Sequence, residues 1–390
     1  MKRLLIPAAA VLLQACASTN IEAPAELVDF VETASFEETW SAEIGGLEAD
    51  LRLGLAPASD GENVYVADHE GGVHAFRLAD GEKLWEFDTS DFRLWGDSIF
   101  TPFSAGPAVA DGRVVVGSLD GDVLALDAAS GEKLWQKNVE GELLAKPLMG
   151  AGLAVLRTTD GRIIALDAAT GERRWDTVRE VPVLTIRGHA TPAGDGSRIV
   201  VGLDNGKVAA LSAEDGSMLW ETTVAIPAGA SELEEIVDVD GDLAYFGSEI
   251  YATSYNGNLA ALAVESGDVL WRQELSSVLA PVVAYGEVFV TDTDSVVRGF
   301  ERLSGAPTWT QDKLRARYLT GPALLGDLLA VGDFAGYVHF LDVFDGHMVA
   351  RIEHSGEPVR ARPLVVDDSL IVLSDDGELA VYRRTDAEAE

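Results

Sequence analysis

The sequence is short of cysteine and of positive charge. A single cysteine, Cys16, excludes an internal disulfide and any metal site that needs several thiolate ligands. Only 29 Lys and Arg residues stand against 65 Asp and Glu residues, so the formal net charge is −36. A surface of that sign repels a phosphate backbone, which argues against a nucleic-acid partner. Hydrophobic residues still make up 47% of the 390 residues, which is enough for a core and excludes wholesale disorder.

Motifs for catalysis are also missing. The six histidines are scattered along the chain, and none belongs to an H-E-x-x-H zinc motif. The sequence has no G-x-S-x-G elbow, no Walker loop and no dinucleotide fingerprint that opens a helix. We therefore predict a protein that is not an enzyme, with no catalytic residues, no metal and no other cofactor.

Long apolar runs are absent beyond the start of the chain. There, two basic residues precede an uncharged, largely apolar run over 4–13, which is typical of a secretory signal peptide and too short to span a membrane. The run ends in Leu-Gln-Ala-Cys, which resembles the lipobox of bacterial lipoproteins. We predict a lipoprotein signal peptide over 1–15, lipidation of Cys16 and a tether over 16–35. An ordinary signal peptide with a chance cysteine is the alternative.

The residues after the cysteine indicate in which membrane the protein is anchored. In bacterial lipoproteins an Asp at that place usually retains the protein in the inner membrane. Ala17 and Ser18 stand here, and by that resemblance we expect a protein anchored in the outer membrane and facing the periplasm. Several acyl chains on one cysteine anchor firmly, since each buried methylene contributes about 0.8 kcal/mol.

A repeat of fixed internal spacing fills most of the chain. Most copies open on a Pro; a Gly follows fourteen residues later, a second Gly ten residues after that and a Trp four residues further on. Glycines at these places supply the positive φ of tight hairpin turns, and Val, Leu and Ile alternate between them as in half-buried strands. In the second copy the pattern predicts strands over 107–110, 114–118, 122–127 and 132–138.

Eight copies predict an all-β fold, an eight-bladed β-propeller of four-stranded antiparallel blades over 36–386. The eighth copy ends before its outer strand, whereas an additional Trp40 stands in the segment 36–41, ahead of the first copy. We expect this N-terminal strand to complete the last blade and so close the ring. The Trp of each copy is expected to pack between neighbouring blades as a spacer, not to bind a ligand.

Insertions are confined to the joints between copies. The longest joints span 86–106, 176–191 and 221–242. In blades of four antiparallel strands these joints emerge on one face of the ring, where the second and third of them are neighbours. Variable loops on a rigid scaffold are where binding usually takes place.

The first long joint is aromatic. It carries Phe92, Trp95, Phe100 and Phe103. We expect these side chains to pack over the ring, and contact with a partner is the alternative.

The other two long joints supply the candidate site. One reads DTVREVPVLTIRGHAT and places Leu184, Ile186 and Arg187 in a segment with no counterpart in the blades; a buried strand extension is the alternative. The other contains D-V-D-G-D, with Asp238 and Asp240 expected beside that segment. This run lacks the spacing and the closing Glu of a calcium loop. We expect instead a solvated acidic rim, or a contact with a basic residue of a partner.

The repeat D-G-x-[ILV]-x-A-L-x-x-x-[ST]-G-x-x-x-W resembles that of the quinoprotein-type propellers, whose units are called PQQ-like repeats. Over essentially its whole length the chain further resembles the propeller lipoproteins of the outer-membrane β-barrel assembly machinery, the BAM complex. The segments 182–192 and 237–262 are the most specific parts of that likeness. The resemblance implies a non-enzymatic scaffold that docks on the periplasmic POTRA domains of BamA and assists the insertion of β-barrel proteins. It allows unfolded outer-membrane protein clients as further partners.

The resemblance also implies which residues bind BamA. In that family two apolar residues and an Arg in the first segment, and two Asp in the second, carry the docking. By position these are Leu184, Ile186, Arg187, Asp238 and Asp240. Ile186 stands where the family often has Leu, and Leu243 replaces the usual Pro after the acidic pair.

Two other functions remain open. A dehydrogenase that uses pyrroloquinoline quinone shares the repeat, but such enzymes are generally longer, use calcium and a catalytic Asp, and often carry a disulfide of adjacent cysteines. This chain cannot form that disulfide, since Cys16 is its only cysteine. A free-standing lipoprotein that binds a sugar or peptidoglycan is the other, and it predicts no stable complex with BamA.

Overall fold

The computed structural model describes residues 22–47, 53–89, 102–186, 190–229 and 231–385. The predicted signal peptide and Cys16 lie outside these ranges. The regular elements within them are short β-strands, numbered here in chain order. A search of the same ranges finds no helix with the length and apolar character needed to cross a bilayer.

The strands form eight sheets in the described residues, one for each copy of the repeat, which confirms the predicted eight-bladed propeller. Blade 1 consists of β3 (Ala58–Ser59), β4 (Asn63–Ala67), β5 (Gly72–Arg77) and β6 (Lys83–Asp88). Blade 2 consists of β7 (Phe103–Ala110), β8 (Arg113–Ser118), β9 (Asp122–Asp127) and β10 (Lys133–Asn138), with the short β2 (Gly54–Leu55) as a fifth strand. Blade 3 consists of β11 (Leu148–Gly150), β12 (Leu153–Arg157), β13 (Arg162–Asp167) and β14 (Arg173–Val178). Blade 4 consists of β15 (Ala193–Gly194), β16 (Arg198–Gly202), β17 (Lys207–Ser212) and β18 (Met218–Thr223).

The second half of the ring repeats this plan. Blade 5 consists of β19 (Ala244–Phe246), β20 (Glu249–Thr253), β21 (Asn258–Ala263) and β22 (Val269–Glu274). Blade 6 consists of β23 (Val282–Ala284), β24 (Glu287–Thr291), β25 (Val297–Glu301) and β26 (Pro307–Gln311). Blade 7 consists of β27 (Ala323–Leu325), β28 (Leu328–Gly332), β29 (Tyr337–Asp342) and β30 (Met348–Glu353). Blade 8 consists of β31 (Leu364–Val366), β32 (Ser369–Leu373), β33 (Glu378–Arg384) and, from the other end of the chain, β1 (Phe36–Glu43).

The N-terminal strand closes the ring as predicted. β1 pairs antiparallel with β33, from Phe36 opposite Arg384 to Glu43 opposite Glu378. Closure in this way covers the outer edge of β33, which would otherwise be unpaired, and makes the two ends of the chain depend on each other.

The strands of blade 2 agree with the prediction to within one residue at each end, except where the first begins. β7 begins at Phe103 rather than at 107. The strand includes these additional residues because β2 pairs with them in parallel, Gly54 opposite Ala105 and Leu55 opposite Gly106. That partner lies in the joint before blade 1 and belongs to no repeat, so the pattern did not indicate it.

Trp side chains fill the contacts between neighbouring blades, which we call seams. Seven Trp side chains of the described residues each donate the indole N–H to a backbone carbonyl of the next blade, at 2.7 to 3.0 Å. Each ring lies against the second Gly of that blade: a Cβ on Gly216, for example, would lie 2.6 Å from the Trp175 ring. The prediction that the Trp is a spacer is confirmed, and the same contact explains why Gly recurs at that place.

The seam between blades 7 and 8 is built differently. Ala350 stands in blade 7 where the other blades have Trp. The rings of Phe36 and Phe340 stack there at 3.8 Å between centroids, and the amides of Thr33 and Ala34 donate to the Val349 carbonyl at 2.9 and 3.3 Å. The N-terminal segment thus replaces the missing spacer.

The antiparallel order gives the ring two different faces. The turn after the second strand of each blade and the joint to the next blade lie on one face, which we call the joint face. The turns after the first and third strands lie on the other, the hairpin face. The described parts of the joints between blades 3 and 4 and between blades 4 and 5 therefore share the joint face with the turns that follow β12 and β16.

Candidate docking surface

The joint between blades 3 and 4 presents an aliphatic surface. β14 ends at Val178, and the chain then continues without strand pairing through 182–186, which we call the docking segment. Leu184 and Ile186 expose 42% and 38% of their surface, and Val183 is fully exposed. The alternative of a buried strand extension is therefore wrong. Adjacent exposed aliphatic side chains on a soluble scaffold are typical of an interaction site.

The joint between blades 4 and 5 fixes this segment in place. The amide of Ile186 donates to Oδ2 of Asp238 at 2.7 Å. Beyond the segment, the amide of Thr191 donates to Oδ1 of Asp242 at 2.6 Å. The expectation that the two joints are neighbours, with the acidic run beside the first, is confirmed by these contacts.

Asp238 and Asp240 are buried, so the expectation of a solvated acidic rim is wrong. The reason is that backbone bonds hold the run between two turns: the Val239 amide donates to the Leu203 carbonyl at 3.1 Å, and the Tyr255 amide donates to the Asp238 carbonyl at 2.9 Å. The intervening Val239 is fully buried in the core between blades 4 and 5. A valine on either side of Asp238 was the sequence signal for burial.

Two further residues of the site were missed by sequence reasoning. Asp204, in the turn after β16, brings a carboxylate oxygen within 4.8 Å of oxygens of Asp238 and Asp240. Arg157, at the end of β12, forms a buried ion pair with Asp204. The sequence did set Arg157 apart, because copies two and four of the repeat have a glycine at this position, Gly117 and Gly202.

Burial sets the charge state of this cluster. It raises the pKa of Asp238 to about 6, with the charge of Asp204 adding to the effect. It raises the pKa of Asp240 to about 7, where Arg157 opposes the shift and the two neighbouring carboxylates increase it. Neither carboxylate oxygen of Asp240 has a hydrogen-bond partner within the described ranges. An ionised Asp240 is thus costly to keep buried.

Oxygen ligands of this kind suit hard cations such as Ca²⁺. The guanidinium of Arg157, however, already lies among the carboxylates as the ion-pair partner of Asp204, and it would repel a second cation. The arrangement is better suited to a structural role: the cluster supports the Asp238 carboxylate, and that carboxylate orients the docking segment.

Some of the predicted residues lie outside the described ranges. These are Arg187 of the candidate site and Phe92, Trp95 and Phe100 of the aromatic joint. Phe103, the last residue of that aromatic set, is fully buried as the first residue of β7. It belongs to the core of the blade and does not lie over the ring.

Comparison with known proteins places the chain among outer-membrane assembly factors. The family model described as outer membrane protein assembly factor BamB matches residues 87–311 and 293–390. The protein of that name from Pseudomonas aeruginosa is 40% identical over 359 residues, which is 92% of each chain. Its counterpart from Xanthomonas campestris pv. campestris is 39% identical over 367 residues, covering 94% of this chain and 90% of that protein.

Solved structures show the same fold. BamB from Moraxella catarrhalis superposes with a TM-score of 0.79 at 26% identity, over 90% of this chain and 100% of that one. The quinohemoprotein alcohol dehydrogenase from Comamonas testosteroni superposes with a TM-score of 0.66 at 15% identity, over 89% and 76% of the two chains. At that identity the likeness to the enzyme concerns the fold alone.

Proposed function

The chain belongs to the BamB family of outer membrane protein assembly factors, and on that premise we propose that it docks on the periplasmic POTRA domains of BamA through the docking segment 182–186. Membership of the BAM complex follows from the family. The observation that carries the proposal is a pair of exposed aliphatic side chains, Leu184 and Ile186, on a loop whose backbone is fixed by a buried carboxylate.

Leu184 and Ile186 are the anchors of the proposed interface. Burying an exposed Leu or Ile fully contributes about 1.5–3 kcal/mol. Binding energy at protein interfaces is concentrated in a few such central side chains. A preformed loop loses little conformational entropy when it binds, which adds to the affinity. Two anchors on a loop held at Ile186 therefore suit a groove on a folded partner.

In this proposal Asp238 orients the docking segment and does not itself contact BamA. Its carboxylate is fully buried and accepts the amide hydrogen of Ile186, so it does not reach a partner's surface. Asp240 and Asp204 lie behind it. Arg187, the next residue along the chain, is proposed to meet an acidic group at the rim of the interface, where charges set orientation and association rate.

The remaining parts of the proposal concern the lipid anchor and the absence of enzymatic activity. We propose that the signal peptide 1–15 is removed, that Cys16 is lipidated in the outer membrane, and that the propeller over 36–386 acts as a non-enzymatic scaffold without a cofactor. The lipobox-like sequence supports the anchor. The names of the related assembly factors support the scaffold role.

The test is a mild-detergent pull-down of the tagged, full-length protein from its native membranes, beside the double variant Leu184→Ala/Arg187→Ala. We expect BamA to accompany the wild type and to be lost from the variant. BamA with both forms would keep the complex but move the site elsewhere on the ring. BamA with neither would contradict the proposed function.

A further inference from the structure

The segment that leads from the predicted lipid anchor is fastened to the propeller. Residues 22–34, which we call the strap, begin on the joint face between blades 6 and 7. There the amide of Ala25 donates to the Arg315 carbonyl at 2.9 Å, and Nη1 of Arg317 donates to the Ala25 carbonyl at 3.0 Å. Glu22, at the start of the strap, lies 3.8 Å from the Arg315 guanidinium.

The strap then follows blade 7 up to β1. Nη2 of Arg351 donates to the Val28 carbonyl at 3.1 Å, and its guanidinium lies 5.1 Å from the centre of the Phe30 ring. Leu27 and Phe30 pack against the core shared by blades 6 and 7. Part of the segment predicted as a tether is therefore bound to the ring.

This attachment limits how far the ring can stand from the membrane. Five residues lie between Cys16 and Glu22, and the six steps of an extended chain that join them span at most about 3.6 Å each, or about 20 Å in all. If Cys16 carries the acyl chains proposed above, the joint face of blade 7 stays within that distance of the lipid surface. The inference below rests on that anchor and is independent of BamA.

The surface at this place presents aromatic rings beside two cationic side chains. The joint between blades 6 and 7 exposes Lys313 and, at 66%, Tyr318. The Tyr318 ring meets the ring of Phe334 edge to face at 6.3 Å between centroids. Arg315 lies between Lys313 and Tyr318 along the chain and is partly exposed. Aromatic rings beside Lys and Arg are typical of side chains that sit at the level of lipid headgroups.

The backbone is strained where it presents Tyr318. Ala316 and Tyr318 have φ angles of 56° and 51°, in the left-handed region. Such conformations are uncommon in non-glycine residues. Tyr285, on the opposite face, is exposed with the same backbone conformation, so this conformation presents a side chain to solvent and does not by itself define a site.

Three carboxylates lie beside the two cations of the patch. Arg315 faces Glu22 at 3.8 Å and Asp294 at 3.5 Å, and Asp312 is exposed in the same joint. The excess of acid here is smaller than in the chain as a whole, where 29 Lys and Arg stand against 65 Asp and Glu. The patch is therefore repelled less by a layer of zwitterionic and anionic phospholipid than the rest of the surface is.

We propose that Lys313, Arg315, Tyr318 and Phe334 contact phospholipid headgroups of the membrane that holds the anchor. The strap brings this side of the ring to the lipid surface, and the patch sets the tilt of the propeller there. The docking segment lies on the same face, three joints away around the ring, and is thereby oriented relative to the membrane.

The test measures the proximity of single residues to lipid. Because Cys16 is the only cysteine and is acylated in this account, a cysteine placed at 318 takes a fluorophore alone. The full-length lipidated Tyr318→Cys protein is reconstituted in phosphatidylethanolamine–phosphatidylglycerol vesicles that contain a nitroxide-labelled lipid. The matched control is Tyr285→Cys, since Tyr285 is 58% exposed, has a φ of 52° and lies on the hairpin face of blade 6. Lys313→Cys probes the same patch without altering the strained position.

We expect the probes at 318 and 313 to be quenched several-fold more strongly than the probe at 285. Vesicle flotation of the same samples reports on the anchor separately. Flotation with equal quenching at all three positions, or with quenching at 285 alone, would overturn the contact and leave the anchor standing. Failure to float would refute the anchor, and the lipid contact with it.

Discussion

The seams between blades and the joints between blades are built on opposite plans. Each described seam but one repeats a single contact, a Trp ring over a Gly with the indole N–H on a carbonyl of the next blade. The joints share no such contact: one exposes aliphatic side chains, another presents Tyr318 beside Lys313. The repeated contacts supply rigidity, and the varied ones are free to bind different partners. Changes in the seams should alter stability, and changes in the joints should alter binding.

The largest effect on stability is expected for a seam tryptophan. Trp175→Ala removes a nearly buried ring and its hydrogen bond to the Ala213 carbonyl. It should lower the free energy of unfolding by about 3–5 kcal/mol, measured by chemical denaturation. Leu184→Ala, in a joint, should change it by no more than about 0.5 kcal/mol. Equal losses in both variants would remove the distinction between seams and joints.

The glycine of the seam offers a sharper test of the same contact. Gly216 and Gly247 both have positive φ, 72° and 61°, but a Cβ on Gly216 would meet the Trp175 ring at 2.6 Å, whereas Gly247 has open space within 4 Å. Both Ala variants should lose about 1 kcal/mol to backbone strain, and Gly216→Ala about 1–3 kcal/mol more to overpacking. Thermal or chemical unfolding of the pair measures the difference. If the two variants match, the ring contact adds nothing.

Beneath the docking segment, pH should affect stability through Asp240. The pKa of its carboxyl is raised to about 7, chiefly by burial, so the folded state keeps a proton that the unfolded state releases near its ordinary value. The contribution of this group to stability therefore falls as the pH rises from the ordinary carboxyl range near 4 to about 7. Asp240→Asn should raise the free energy of unfolding by about 1–3 kcal/mol at pH 8, and this advantage should shrink steadily below pH 7 and be lost near pH 4.

Asp195→Asn is the control of opposite sign. Burial raises the pKa of Asp195, but hydrogen bonds from the Tyr245 hydroxyl, Ser197 and Arg198 outweigh it and hold the pKa below its usual range. Its ionised form therefore stabilises the fold above the ordinary pKa, and the Asn variant should be less stable at pH 8. If Asp240→Asn made the protein less stable at pH 8, as Asp195→Asn is expected to do, the raised pKa of Asp240 would be contradicted.

A smaller effect, on binding, distinguishes two roles of Asp238: orienting the docking segment, or meeting the partner with its charge. Asp238→Ala removes the acceptor of the Ile186 amide and should weaken binding to BamA about tenfold, or 1.4 kcal/mol. Asp238→Asn keeps an oxygen acceptor and should bind nearly as the wild type does. Titration of both variants with purified POTRA domains decides the question, and equal losses would mean that the carboxylate charge itself meets the partner.

The sequence predicts the blades better than it predicts the site. Spacing alone indicates the eight copies and the closure of blade 8, because each turn Gly and each alternating strand is a local feature. The contact of Gly216 with Trp175 escapes such reasoning, since the two residues belong to different blades. The burial of Asp238 depends on turns from two blades, and Arg157 stood out only as a departure from the glycines of other copies. The strap has no repeat counterpart, so nothing in the pattern indicated where it lies.

The central claim is that an aliphatic loop, and not the ring as a whole, binds BamA. Its most direct test is a calorimetric titration of POTRA domains with Leu184→Asp and, as the matched control, Leu219→Asp on the outer strand of blade 4. The two leucines are 42% and 49% exposed, so both changes place one charge on a half-exposed apolar site. We predict a loss of about a hundredfold or more for Leu184→Asp, since an anchor is removed and a charge is buried, and wild-type affinity for Leu219→Asp. Equal affinity of both variants and the wild type would contradict the account.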